Sequence, residues 1–368
     1  MSEHERYMRR ALELAEKGWG RTNPNPLVGA VIVKDGRIVA EGYHARLGGP
    51  HAEVAALENA TEDVRGGTLY VTLEPCSHHG RTPPCADAVV RSGIKRVVAA
   101  MRDPNPRVCG CGLRCLEEAG IEVTVGVLEE EARRLNEIFI KYITKKRPFV
   151  IMKTGMTLDG KIAAVTGDSR WVTGEEARQH VHRIRGRVAG VMVGIGTVLC
   201  DDPALTTRYG NGRDAVRIVV DSRGRISEKS RVICGESEAG VILATTSAID
   251  PDKEKRLTAL GVQIIKADGE DDRVDLNALM DALYGLGMDS ILLEGGGELN
   301  ASALRSGIVD KVMSFIAPKI IGGASARTPV GGPGTPLMDD AAVLKDVTVR
   351  RFGDDILVEG YTDVYGDR

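Results

Sequence analysis

Apolar and polar positions change period several times along the chain, and each change predicts an element. Ser2 followed by Glu5 is a capping-box pattern. The stripe Tyr7, Met8, Ala11, Leu12, Leu14 and Ala15 then repeats at the helical period until Gly18 and Gly20 end it. Two β-rich runs follow and meet at Asp35-Gly36, a strong hairpin signal. A helix carrying His51 and Glu53 comes next, then a strand at 68–73, then a helix that begins near Pro84 and carries Cys85. Strand K-R-V-V-A-A-M with a helix around 112–119, and strand I-E-V-T-V with one helix from 129 to about 146, complete this part. Strands alternating with helices predict an α/β sandwich on a mostly parallel sheet.

The run K-K-R-P at 145–148 closes the long helix, because proline cannot continue it. A domain boundary belongs there, giving domains 1–146 and 147–368. Beyond it, F-V-I-M-K-T-G-M, V-A-G-V-M-V-G, A-V-R-I-V-V-D-S, G-V-I-L-A-T, V-Q-I-I-K, S-I-L-L-E, V-M-S-F-I-A-P and I-L-V-E-G-Y read as strands. A helix is expected from about Glu175 to Arg187, with His180 and His182 on its solvent side. This is a second α/β domain with its own core and no repeat of the first.

A length of 368 residues suits two domains, each large enough to bury a core without staples. With 49 basic against 52 acidic residues and no basic run, nothing draws in nucleic acid. The start, M-S-E-H-E-R-Y-M-R-R, lacks the apolar core of a secretion signal, and no apolar stretch is long enough for a membrane span. Seven cysteines is an odd count, two of them suited to a metal, so no disulfide framework is implied and a reducing cytoplasm is expected.

The chemistry concentrates between His51 and Cys85. There H-A-E is followed by E-P-C and, eight residues after Cys76, by Cys85. One imidazole and two thiolates are what Zn²⁺ prefers, and three protein ligands leave a fourth position open for water. Glu53 would lie beside the metal without binding it, placed to move a proton between water and a leaving group. H-x-E…P-C-x-x-C is the signature of zinc nucleobase deaminases, here with a longer spacing between the cysteines. A closed site using His78 or His79 is the alternative, and Glu53 argues against it. Cys109, Cys111 and Cys115 form a C-x-C-x3-C cluster that could hold a second metal. The blander account is small residues at a turn, and no nearby histidine completes a tetrahedral set. In the second half, I-L-L-E-G-G-G-E-L-N places three glycines between a strand and a helix start, where a pyrophosphate can approach backbone N–H groups.

N-P-N-P-x-V-G, H-A-E, E-P-C-x8-C and D-P-N-P resemble the deaminase half of the bifunctional riboflavin-biosynthesis deaminase–reductase family. L-D-G-K-I-A, T-G-D-S-R-W, G-x-G-T-V-L-x-D-D-P-x-L-T-x-R and L-L-E-G-G-G resemble its reductase half. Both sets occur in family order and cover nearly the whole chain. The resemblance implies a cytidine-deaminase-like α/β/α sandwich followed by a dihydrofolate-reductase-like α/β domain, with one Zn²⁺ and NADPH as cofactors. It implies zinc-dependent deamination of a phosphorylated diaminopyrimidine, then reduction of its ribosyl group by NADPH.

Carried over by position, Asn25, His44, Arg81, Asp103 and Asn105 would line the deaminase pocket around Glu53. Ser169, Arg185, Leu205, Arg208 and Glu294 would bind the sugar-phosphate substrate of the reductase. Gly155, Trp171, Thr197, Asp201, Ser222, Gly295, Gly296 and Gly297 would bind NADPH. Lys153 and Asp201 are candidate proton donors by their chemistry. The family's G-K-G-like turn is replaced here by C-G-C-G. Rival expectations are a nucleic-acid or nucleoside deaminase, which a basic surface would betray, and a non-enzymatic zinc- and nucleotide-binding regulator, which would have no use for Glu53. Homo-oligomerisation is left open.

Overall fold

The computed structural model describes residues 1–77, 84–105, 108–209 and 213–362. The chain divides into two compact units, Met1–Lys146 and Arg147–Arg368. Arg147 donates to Asp281 and Asn277, both within its own unit.

The first unit runs α1 (Glu3–Glu16), β1 (Gly29–Lys34), β2 (Arg37–Tyr43), α2 (Ala52–Glu58), β3 (Thr68–Val71), α3 (Cys85–Ser92), β4 (Arg96–Ala99), α4 (Cys111–Glu118), β5 (Glu122–Val125), α5 (Glu129–Leu135) and α6 (Glu137–Lys145). Its sheet has the order β2-β1-β3-β4-β5. β1 pairs antiparallel with β2 and β3, and β3, β4 and β5 are parallel. Successive residues of β1 enter different cores: Ala30 and Ile32 pack with residues of α2, α3 and α4, while Val31 and Val33 pack with those of α1 and α5. That alternation makes the sandwich, since a strand's side chains point to opposite faces. The capping box at Ser2 and Glu5 is formed on both sides.

The helix expected from 129 to about 146 is two helices, broken at Asn136. The cause is a buried amide. Asn136 Oδ1 accepts the Leu27 N–H at 2.8 Å and its Nδ2 donates to Leu27 O at 3.0 Å, tying the break to the segment before β1.

The second unit runs β6 (Phe149–Thr157), α7 (Glu175–Arg185), β7 (Gly190–Gly194), α8 (Ile195–Asp201), β8 (Val216–Val220), α9 (Arg231–Cys234), β9 (Val241–Thr245), α10 (Pro251–Ala259), β10 (Val262–Lys266), α11 (Leu276–Gly285), β11 (Ser290–Leu293), α12 (Gly297–Arg305), β12 (Lys311–Ala317), β13 (Lys345–Phe352) and β14 (Asp355–Tyr361). The sheet order is β10-β9-β8-β7-β11-β6-β12-β14-β13. It is parallel from β10 to β12, and β14 and β13 add antiparallel. β11 is buried throughout, as a central parallel strand covered on both faces should be. The alternation did not reveal β13, because K-D-V-T-V-R-R-F is an exposed edge strand with charges on both faces.

Candidate active sites

Three elements bring the first cluster together. His51 immediately precedes α2, Cys76 follows the segment after β3, and Cys85 opens α3. Their ligand atoms all lie within 4.8 Å of one another. His51 Nδ1 is 3.2 Å from Cys85 Sγ and 3.5 Å from Cys76 Sγ, and the Cys85 N–H donates to Cys76 Sγ at 3.4 Å. Hydrogen bonds with Cys85 and His51 pull the Cys76 thiol down to about 4. One imidazole and two sulfurs at this spacing fit Zn²⁺. Among the described residues no fourth ligand joins them; His78 and His79 lie outside those residues. Glu53, in the first turn of α2, is 3% exposed, and burial pushes its carboxyl up to about 7.

Beside the cluster, the His44 and His51 rings meet edge to face with centroids 5.4 Å apart. His44 Nδ1 is 3.0 Å from the Pro50 carbonyl, which can only accept, so Nδ1 carries the proton. Burial lowers the pKa of His44, which favours the neutral ring. Its Nε2 therefore accepts from Asn25 Nδ2 at 3.2 Å, which fixes the amide and leaves Asn25 Oδ1 as an acceptor. Asp103 Oδ1 accepts the Asn105 N–H at 2.8 Å in the loop after β4. Arg81 lies outside the described residues. Cys109 and Cys115 are exposed and Cys111 is half-buried, and these three form no metal-sized cluster.

The second site is a cavity of about 330 Å³ lined in part by Ser169, Arg185, Arg208, Glu294, Gly155 and Trp171. The sequence expectations for substrate and for cofactor thus meet in one cavity. Glu294, whose side chain is 10% exposed, is its electrostatic centre. Its Oε1 accepts from Arg185 Nε at 2.5 Å and its Oε2 from Lys153 Nζ at 3.2 Å. Burial works against the Glu294 charge, yet Arg185 and Lys153 hold its carboxyl well below the usual range. Arg185 also donates to the Thr206 carbonyl at 3.1 Å, so much of its fork is already engaged. Trp171, 58% exposed, stacks under the Arg178 guanidinium.

The remaining predicted residues lie apart from that cavity. Leu205 is buried next to Thr206. Thr197 and Asp201 are on α8, and Thr197 Oγ1 would lie 3.7 Å from a Cβ placed on Gly296. At Gly297 a Cβ would stand 2.8 Å from Thr328 O, so only glycine allows the chain to pass there. Gly296 caps α12 without a side chain, leaving the first-turn N–H groups open to a phosphate. This turn fits the pyrophosphate of a dinucleotide. Ser222 Oγ accepts the Val274 N–H at 3.1 Å.

His180 and His182 do not face solvent as expected. His182 is 8% exposed and lines the cavity, while the half-buried His180 packs on Phe352 with ring centroids 4.5 Å apart. The signal was available: His182 precedes Arg185 by three residues, which puts both on one helical face.

Residues 148–358 match the family described as the RibD C-terminal domain, and residues 1–101 match the cytidine and deoxycytidylate deaminase zinc-binding region. The chain is 49% identical to riboflavin biosynthesis protein RibD of Actinobacillus pleuropneumoniae, over 96% of this chain and 94% of that one. It belongs to the RibD family. The Escherichia coli K12 RibD protein is 42% identical, over 96% of this chain and 97% of its own. The fold agrees with a Thermotoga maritima crystal structure described as a diaminohydroxyphosphoribosylaminopyrimidine deaminase/5-amino-6-(5-phosphoribosylamino)uracil reductase. That match has a TM-score of 0.87 at 45% identity, covering 98% of this chain and 99% of that one. RibD of Acinetobacter baumannii matches at TM-score 0.87 and 36% identity, over 98% and 99% of the two chains. RibD membership accounts for a deaminase-type unit and a reductase-type unit in one chain.

Proposed function

We infer that the chain performs two consecutive steps of riboflavin synthesis on one small phosphorylated pyrimidine. The first converts 2,5-diamino-6-(5-phosphoribosylamino)pyrimidin-4(3H)-one to 5-amino-6-(5-phosphoribosylamino)uracil. The second reduces the ribosyl group to give 5-amino-6-(5-phosphoribitylamino)uracil. The observation that carries this is the His51–Cys76–Cys85 cluster with buried Glu53 beside it, in a RibD chain that also holds the Glu294 cavity.

In the first step His51, Cys76 and Cys85 hold the zinc. When bound, zinc supplies the Lewis acidity that makes water a nucleophile near neutral pH. Glu53 takes the proton that water loses as it adds to C2, then delivers it to the departing amino nitrogen, so the C2–N bond breaks and ammonia leaves. Asn25 Oδ1, Asp103 and Asn105 orient the pyrimidine edge, with His44 holding the Asn25 amide. Arg81 is assigned to the carbonyl or phosphate on chemical grounds alone.

In the second step Gly155, Trp171, Thr197, Asp201, Ser222 and the Gly295–Gly297 turn hold the cofactor. When bound, NADPH supplies a hydride for C1′ of the ring-opened ribosyl group. Arg208 and Ser169 bind the sugar phosphate, and Glu294 and Arg185 line the same cavity. Lys153 is the proton donor of choice over Asp201, because Lys153 lines the cavity and Asp201 ends α8 outside its lining.

The test is to supply the diaminopyrimidine with and without NADPH, following ammonia and pyridine-nucleotide oxidation separately. Ammonia release in both cases, with oxidation only after deamination, is expected. Pyridine-nucleotide oxidation with no ammonia release would overturn the first assignment.

A further inference from the structure

Glu74 stands two residues before the ligand Cys76, is 3% exposed, and among the described residues makes no ion pair. A carboxylate buried without a cation must be met by hydrogen-bond donors or it is strongly destabilising. Four backbone N–H groups meet this one. Oε2 accepts from Asp103 at 3.1 Å and Gly110 at 3.0 Å, and Oε1 from Gly112 at 2.9 Å and Leu113 at 3.4 Å. Gly112 and Leu113 lie in the first turn of α4, whose cap, Gly110, offers no side chain. The Glu74 carboxylate therefore takes the part of a missing cap. The contact is close: a Cβ on Gly112 would fall 1.8 Å from Pro75 O. The Glu74 N–H also donates to Met101 O at 3.0 Å.

One side chain thus ties the segment that delivers Cys76 to the loop that delivers Asp103 and Asn105. We propose that Glu74 is a positioning residue of the deaminase site, setting the pyrimidine-orienting loop relative to the metal ligands. The proposal rests on the deaminase assignment above and adds to it a residue that touches neither metal nor substrate.

Glu74→Gln tests it, because the amide keeps the shape but turns an NH₂ toward two of the four donors. The variant should keep one zinc per chain and raise the deaminase KM roughly 10- to 100-fold, the scale of a lost charge-assisted hydrogen bond, with a much smaller fall in kcat. Backbone amides of residues 103 and 110–113 should exchange faster with deuterium, while those of α1 keep their protection. Glu74 and Asn105 should be coupled, so that adding Asn105→Ala to Glu74→Gln costs less than it costs the wild type. An unchanged KM, or a loss confined to kcat, would overturn the proposal, as would fully additive effects. If Glu74→Gln loses its zinc, Gly112→Ala makes the same test by pushing the first turn of α4 off an intact Glu74. A wild-type enzyme that releases no ammonia would instead refute the deaminase assignment, and the exchange data alone would then decide whether Glu74 holds the loop.

Discussion

His182 Nδ1 accepts the backbone N–H of Arg208 at 3.1 Å. An imidazole that accepts at Nδ1 must, when neutral, carry its proton on Nε2. Helix α7 thereby places the loop bearing Arg208 and presents a neutral histidine to the reductase cavity. His182→Ala leaves the Arg208 N–H without this partner, so the reductase KM for its sugar-phosphate substrate should rise about tenfold. The NADPH KM should change little. Steady-state kinetics with each substrate varied in turn will show whether the two respond differently.

The same helix predicts a pH dependence. Burial, followed by the nearby arginines Arg350, Arg187 and Arg183, pushes His180 down to about 4. Burial and Arg185 do the same to His182, also to about 4. A histidine in an unfolded chain titrates near 6.5. Between about 6.5 and 4 the unfolded chain takes up protons that the folded one refuses, so stability falls as pH falls through that window. Urea midpoints measured from pH 7 to 4.5 should decline, and less steeply in a variant carrying His180→Phe and His182→Phe. Identical slopes for variant and wild type would contradict the assignment.

Zinc content and ammonia release should separate cleanly. One zinc per chain is expected, lost on Cys76→Ser or Cys85→Ser and retained in Glu53→Gln. That last variant should lose at least about 100-fold in deamination, the usual scale for removing a general acid–base group. Cys111→Ser should leave the metal count at one, because the cysteines at 109, 111 and 115 form no ligand cluster. Metal analysis beside an ammonia assay covers all four variants.

Arg185 and Arg208 should fail in different ways. Arg185→Ala would leave the largely buried Glu294 with Lys153 alone, and breaking a fully buried pair costs about 3–5 kcal/mol, an upper bound here. Lower thermal stability together with lost reductase activity is expected. Arg208→Ala should raise the substrate KM with the melting temperature nearly unchanged. Melting curves and kinetics on both variants would reveal any reversal of these roles.

Residues 147–368 should fold and reduce without the first unit. Arg147 is anchored by Asp281 and Asn277 in its own unit, and the cavity is lined by residues beyond the boundary. The fragment should show NADPH oxidation with the deaminated substrate at a rate comparable to the full chain. A fragment that aggregates or stays inactive would show that the second unit depends on the first.

The metal cluster and Glu53 were legible in the sequence because a ligand set is written in residue types. The Asp35-Gly36 hairpin and the capping box were legible because each is local. Asn136 was not: an amide that breaks a helix by binding Leu27 depends on a contact across more than a hundred positions. His182 was missed because its helix is rich in arginine and glutamate, so its buried side did not stand out from the polar residues around it. β13 escaped because an exposed edge strand has no buried face to impose an alternation. Glu74 was read only as part of a motif, since its four donors are backbone groups that carry no residue signature.

The bond between Asn136 and Leu27 also bears on where the deaminase half can be cut. The match to the zinc-binding region ends at residue 101, and every zinc ligand lies before that point. Yet Leu27 is two residues from Asn25, and both of its backbone groups are satisfied by a side chain much later in the chain. A ribosome that has released only the metal-binding part has made the ligands without the latch for the pocket wall. The deaminase unit therefore reaches past the segment that names it, to an asparagine that fixes the backbone two positions from Asn25.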